Sequence, residues 1–164
     1  MSLVSRLSRL LAGAPPPADD PVAEPDERLA GAALLVHVAR VDGRVAAAER
    51  SRLGALFGER FGLDAAGAEA LIARAERLDR ATDDVASLVD VIGGDAPEAE
   101  RRRLVAMAYQ VAAADGVIAE FEDDLVWRVG RLLGLDPAVL RDIRDAELVA
   151  AGPGQGAPNR GPGA

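Results

Sequence analysis

Two short stretches of the chain share one pattern and decide the fold. The stretch from Ala112 to Glu122 reads Ala-Ala-Ala-Asp-Gly-Val-Ile-Ala-Glu-Phe-Glu, and that from Ala39 to Glu49 reads Ala-Arg-Val-Asp-Gly-Arg-Val-Ala-Ala-Ala-Glu. In both, an Asp-Gly pair ends an apolar run, a β-branched residue follows, and a Glu comes four residues after that. Because Gly adopts the left-handed conformation that ends helices, each stretch predicts a helix, a tight loop and a second helix.

The two stretches superimpose at a single offset in the sequence, which predicts an internal duplication. Two helix–loop–helix units could pack about a pseudo-two-fold axis and bury the apolar faces that neither buries alone. The matched pairs are Asp42 with Asp115, Gly43 with Gly116, Val45 with Ile118 and Glu49 with Glu122.

Helical periodicity extends over the rest of the domain, and no segment shows the two-residue period of a strand. The sequence predicts an all-α, compact bundle of about seven helices with the duplicated helix–Asp-Gly loop–helix units. The first helix, residues 26–40, is apolar almost all round and should lie at the centre. The later helices should start near Ala47, after a cap at Asp64, at Thr82, at Asp95 with Pro97 close to the first turn, near Ala119, and, for a short last helix, after Asp136.

Composition shifts divide the chain into four segments. Residues 1–13 predict a short amphipathic helix, residues 14–25 a mobile Pro-rich linker, residues 26–148 the helical domain, and residues 149–164 a disordered Gly/Pro-rich tail. Residues 2–12 carry one leucine-rich stripe, which predicts docking on the domain or on a partner. The alternative is a weak contact with a membrane surface, which two arginines support poorly.

The charge and residue usage exclude several classes of function. The net charge is −8, so the attraction that drives binding to a phosphate backbone is absent, and nucleic acid is not an expected partner. The chain has no Cys, which excludes disulfides and thiolate metal sites. No apolar run is long enough to span a bilayer, and we expect a cytoplasmic protein.

The loop acids admit two interpretations. Asp, Gly, an aliphatic residue and Glu stand where they do in the second half of an EF-hand loop, but Val38, Arg40, Val111 and Ala113 occupy the positions of the first two ligands. The first interpretation is structural, with Glu accepting loop N–H groups at a helix start and Asp capping its turn. The second is a weak or shared divalent-cation site, with no other cofactor expected, formed by Asp42, Glu49, Asp115 and Glu122 and helped by Glu120, Asp123 and Asp124.

Four further features are candidate functional residues. His37, the only histidine, is expected to be a packed or boundary residue rather than a ligand or base. The run of residues 101–103, Arg-Arg-Arg, is expected to form a solvated face paired with Glu98 and Glu100. Trp127, and with less support Tyr109, is either a half-buried core-boundary residue or an anchor for a protein partner.

The paired loops also carry a family resemblance. Together with Val-Ala-Ala-Ala-Asp-Gly-Val-Ile before Glu122 and Val-Trp-Arg-Val-Gly-Arg-Leu-Leu-Gly-Leu after it, they resemble the TerB-like tellurite-resistance family, itself similar to the N-terminal domain of DjlA-type co-chaperones. The likeness covers about residues 26–148. It implies a seven-helix cytoplasmic module of tellurite and general stress resistance, without enzymatic activity, that acts through protein partners. The metal-binding or metal-sensing module is the alternative.

Overall fold

The computed structural model describes residues 27–40, 43–92 and 96–152. These residues form seven α-helices and no strand, which confirms the predicted all-α bundle, while the internal duplication stays a prediction. The helices are α1 (Glu27–Ala39), α2 (Ala47–Phe61), α3 (Ala65–Ala81), α4 (Val85–Ile92), α5 (Glu98–Ala112), α6 (Glu120–Leu132) and α7 (Pro137–Ala151).

Helix α1 is the centre of the bundle, as its all-round apolar sequence predicts. From Leu34 to Val36 and again at Val38, its side chains are fully or almost fully buried. The helix packs against α2, α3, α4, α5 and α6, whereas α7 packs only against α5 and α6. Burying an aliphatic side chain of this size stabilises a fold by roughly 1.5–3 kcal/mol, so α1 supplies much of the core.

Several helix ends follow the predicted local chemistry. Gly62 closes α2 in the left-handed conformation, with φ 64°. The Asp64 carboxylate caps α3 by accepting the Gly67 N–H at 2.7 Å, and Asp136 caps α7 by accepting the Ala138 N–H at 2.8 Å. These side chains satisfy N–H groups that a helix start leaves without a partner.

The predicted helix start at Thr82 is wrong. Thr82 closes α3: its N–H donates to the Asp79 carbonyl at 3.2 Å, and its hydroxyl donates to the Leu78 carbonyl at 2.7 Å. Helix α4 begins three residues later, where Asp84 accepts the Ser87 N–H at 3.0 Å. Thr82 and Asp84 are both good caps, and only the packing decides which end each one serves.

One helix start agrees with the sequence expectation, and one helix is longer than expected. Pro97 lies close to the first turn of α5, as predicted, and is its N-cap. The last helix is not short, because it continues for 15 residues to Ala151. Its final turns are rich in Ala, Leu and Glu, which favour the helix even where no apolar stripe marks it.

Some predictions fall on residues that the structure does not describe. These are the helix of residues 2–12, the linker of residues 14–25, the cap at Asp95 and the tail beyond residue 152. Among the described helices, none combines the length and the apolar character needed to cross a membrane.

Candidate functional site

The loop between α1 and α2 turns on Gly43, whose φ is 95°. The Gly43 N–H donates to the Arg40 carbonyl at 2.8 Å, and the chain then extends to Ala46, the N-cap of α2. The Glu49 carboxylate accepts the Ala46 N–H at 2.7 Å. Ala46 has no side-chain acceptor to return the bond, so this is the carboxylate half of a capping box. Asp42 lies outside the described residues.

The loop between α5 and α6 has the same backbone. Gly116 has φ 90°, and its N–H donates to the Ala113 carbonyl at 2.9 Å. Ala119 is the N-cap of α6, and the Glu122 carboxylate accepts the Ala119 N–H at 2.8 Å. Asp115 accepts the Val117 N–H at 3.0 Å and so closes its own turn.

The structural roles foreseen for Glu49, Glu122 and Asp115 are therefore present. One carboxylate oxygen of each Glu is committed to a backbone N–H, and each Glu lies near the positive end of its helix. In the part of the chain that the structure describes, no group of three or more His or acidic side chains is arranged to hold a metal. The set of Asp42, Glu49, Asp115 and Glu122 stays a prediction, because Asp42 is not among those residues.

Of the three acids expected to help a metal site, Asp123 is directed elsewhere. Arg144 of α7 holds both carboxylate oxygens, with its Nε at 2.8 and 2.9 Å and a second nitrogen at 2.6 Å. The buried Tyr109 hydroxyl donates to the same carboxylate at 3.1 Å. Asp123 thus ties α5, α6 and α7 together, while Glu120 and Asp124 are exposed.

This three-residue network shifts the acidity of its members. Hydrogen bonds from Arg144 hold the pKa of the Asp123 carboxyl below its ordinary value; burial opposes this effect, and the Tyr109 hydroxyl adds to it. Burial raises the pKa of the Tyr109 phenol, and the Asp123 charge raises it further. Asp123 is therefore anionic and Tyr109 neutral near neutral pH.

A second charged network joins the end of α1 to α3. Asp79 of α3 is buried, its side chain 1% exposed, and one oxygen lies 2.7 Å from His37 Nδ1. The other oxygen forms an ion pair with Arg40 at 2.7 Å, although it accepts no well-aligned hydrogen bond. His37 lies at the core boundary, as the sequence predicts. Asp79 was missed, although a charged residue one turn after Ala75 on the apolar stripe of α3 is a readable signal.

The arginine run is only partly a solvated face. Arg102 and Arg103 are exposed and lie near Glu98 and Glu100, at 2.6 and 3.8 Å respectively. Arg101 is different, because its guanidinium donates to the Ala96 carbonyl at 3.0 Å and to the Leu133 carbonyl at 2.7 Å. It joins the start of α5 to the end of α6.

Helix α6 and the loop before it carry an exposed apolar stripe, defined by Val117 of the loop and Phe121 and Leu132 of the helix. Their exposed fractions are 70%, 51% and 40%. Phe121 and Leu132 lie about three helical turns apart on one face. Trp127 of the same helix is half-buried against the core. The acidic and exposed Glu120 and Asp124 border the stripe.

One protein-family model matches most of this amino-acid sequence. The model of the family described as tellurite resistance protein TerB matches residues 28–145, from the first turn of α1 into α7. The chain belongs to the TerB family. Comparison with curated proteins and with solved structures finds no match. The similarity to DjlA-type co-chaperones stays a prediction.

Proposed function

We propose that this TerB-family chain is a non-enzymatic module of tellurite and general stress resistance that binds a protein partner through the α6 stripe. The observation that carries the proposal is the exposure of Phe121 and Leu132 on one face of α6 and of Val117 in the loop before it. Apolar side chains grouped on a surface are typical of protein–protein contacts. Trp127, half-buried on the same helix, is the proposed contact at the edge of the stripe.

The acids around this surface favour a binding role over catalysis. Glu122 accepts a backbone N–H, Asp115 closes a turn, and Asp123 is held by Arg144. A general acid or base needs a carboxyl whose pKa is raised toward neutrality, whereas that of Asp123 is lowered.

Growth on tellurite tests this proposal. A strain lacking the gene is complemented with the wild-type chain, with a Phe121→Glu/Leu132→Glu variant, or with Ala48→Glu as the matched control. Ala48 is the exposed second residue of α2, as Phe121 is the second residue of α6. We expect wild type and control to restore growth and the stripe variant to fail, with unchanged melting temperatures. Full growth of the stripe variant would contradict the proposal.

As a second candidate, we propose a weak divalent-cation site at the two loops. The observation that favours it is that both loops present Glu at the same place, on backbones that agree in Gly φ to within a few degrees. Cation binding would need Asp42, Glu49, Asp115 and Glu122 to contribute carboxylate oxygens, because Ca²⁺ takes six to eight oxygen ligands.

Calorimetry with Ca²⁺, Mg²⁺ and Zn²⁺ tests the second candidate. The variant Glu49→Gln/Glu122→Gln keeps an oxygen that can accept the capping N–H, so it removes charge without removing the cap. Heat of binding in the wild type that the variant loses would support the site. Absence of heat and of thermal stabilisation in both proteins would exclude it.

A further inference from the structure

A groove opens at the end of the bundle where α1 begins. The first half of α1, the end of α2, Ile92 of α4 and the first half of α5 line it, and its volume is about 200 Å³. Ligand pockets for drug-sized molecules are usually larger, about 300–1,000 Å³, so this groove suits a few inserted side chains. Its apolar lining comes from Phe61 and Leu104, which are partly exposed, over Leu35, Phe57, Ile92 and Met107, which are buried.

The rim of this groove is basic, in a chain whose net charge is −8. Four arginines, at positions 28, 60, 101 and 103, line it, against two acids, Glu27 and Glu100. Arg28 lies over the Phe61 ring, 4.4 Å from its centre, and Arg60 pairs with Glu100 between α2 and α5. Because these contacts hold Arg28 and Arg60 in place, part of the cationic edge is fixed over the apolar floor.

We propose that residues 2–12 of the same chain dock in this groove as an amphipathic helix. The stripe of Leu3, Leu7 and Leu10, widened by Val4 and Leu11, matches the apolar walls in character. A helix this short is marginal in water on its own, so it needs a surface to lie against. The proposal concerns a different face from the α6 stripe and is independent of the proposed partner.

The position of the chain favours this occupant over a separate molecule. Glu27, the first described residue, itself lines the groove, so the preceding segment begins at the groove's edge. Residues 13–26 form the tether, and a Pro-rich chain of this length spans up to roughly 40 Å. The tether is therefore long enough to run beside α5, the 15-residue helix that lines the groove and is roughly 22 Å long. The tether also gives the docking segment an effective concentration on the order of millimolar.

The charge of the tether complements the rim. Residues 14–26 contain four acids, Asp19, Asp20, Glu24 and Asp26, and no base. Arg28 and Arg103 line the same groove as Glu27, the first described residue after this tether. Arg6 and Arg9 lie off the leucine stripe, so docking leaves both at the surface. Attraction between the acidic tether and the basic rim holds the segment over the groove and weakens as salt is added.

Paramagnetic NMR on the full chain tests the proposal. The natural sequence has no Cys, so Ser5→Cys gives one nitroxide site on the face of the segment opposite the leucines. We expect selective loss of amide signal at Gly31 and Leu104 in the groove, with weaker loss at Gly43 and Gly116, which follow the opposite ends of α1 and α5. Leu7→Asp/Leu10→Asp should restore the groove signals. Asp19→Asn/Asp20→Asn/Glu24→Gln should restore them in part.

Three results would overturn the proposal. Full signal throughout the domain would mean that the segment does not dock. Loss centred on Phe121 and Leu132 would place it on the α6 stripe instead. Loss at Gly31 when the nitroxide and the isotope label are on different chains of a mixed sample would mean that a second copy supplies the segment. The variant Phe121→Glu/Leu132→Glu changes no residue that lines the groove. Loss of partner binding at the stripe and loss of docking in the groove are therefore measured independently.

Discussion

The two helix–loop–helix units share a turn and differ in what they present to solvent. In α1–α2 and α5–α6 alike, a Gly with φ near 90° is followed by an extended Ala N-cap and a capping Glu. The first unit then places Ala48 on the surface, whereas the second exposes Phe121. Local backbone chemistry therefore fixes the turn, and the residues around it remain available for a different surface in each unit.

The units also anchor the following helix with opposite charges. The residue after each capping Glu is Arg50 in α2 and Asp123 in α6. Arg50 binds Glu69 and Glu76 of α3, and Asp123 binds Arg144 of α7. In both units the side chain at this position binds the next helix, although its charge is opposite in the two sequences.

The largest expected difference between the units concerns how deeply their ion pairs are buried. Arg40→Met leaves the buried Asp79 carboxylate with His37 alone and should destabilise the fold by roughly 3 kcal/mol, the lower end of the range for breaking a buried pair. Arg144→Met breaks a pair in which Asp123 is 26% exposed and should cost about 1 kcal/mol or less. Urea denaturation measures both. Equal losses would mean that burial does not separate the two networks.

A smaller difference is expected at the glycine one turn before each unit's final Gly. A Cβ at Gly130 would lie 2.3 Å from Leu140 Cδ2 in the core, and Gly130→Ala should cost about 2 kcal/mol through overpacking. At Gly58 the nearest atom is the Leu63 carbonyl oxygen at 3.2 Å. There the gain in helix propensity, roughly 1 kcal/mol, offsets the contact. A larger fall in melting temperature for Gly58→Ala than for Gly130→Ala would contradict these packing distances.

The turns themselves should respond alike. Nothing lies within 4 Å of a Cβ built at Gly43 or Gly116, so a side chain there meets backbone strain alone. Gly43→Val and Gly116→Val should each cost roughly 1–2 kcal/mol, the penalty of the left-handed conformation. Similar losses in chemical denaturation would support one turn in both units. A loss in one unit only would show that the turns are built differently.

The smallest effect is a pH dependence that belongs to the second unit. The pKa of Asp123 is lowered in the folded state, so the unfolded chain binds its proton more readily and stability rises with pH. This contribution is complete above the unfolded pKa, about 3.9, and is lost as pH falls through the lower folded pKa. Asp123→Asn and Arg144→Met should both flatten the fall in unfolding free energy below about pH 4. If both variants keep the wild-type slope of unfolding free energy against pH, Asp123 does not cause this pH dependence.

The sequence predicted the structural features that depend on residues close together in the chain. Apolar periodicity gave the helices and the central place of α1, and Gly62, Asp64 and Asp136 marked helix ends correctly. It did not predict contacts between helices. Asp123 meets Arg144 across 21 positions, and His37 meets Asp79 across 42, so both pairs depend on how helices pack. For the same reason Arg101, predicted as solvated, proved to join two helices.

The most direct test of the central claim compares the same position in the two units inside the cell. A photo-crosslinking amino acid replaces either Phe121 or Ala48, and cells are irradiated during growth on tellurite. We expect a discrete cross-linked partner from position 121 and none from position 48. Equal products from both positions, or no product from position 121 in a chain that still supports growth, would contradict it.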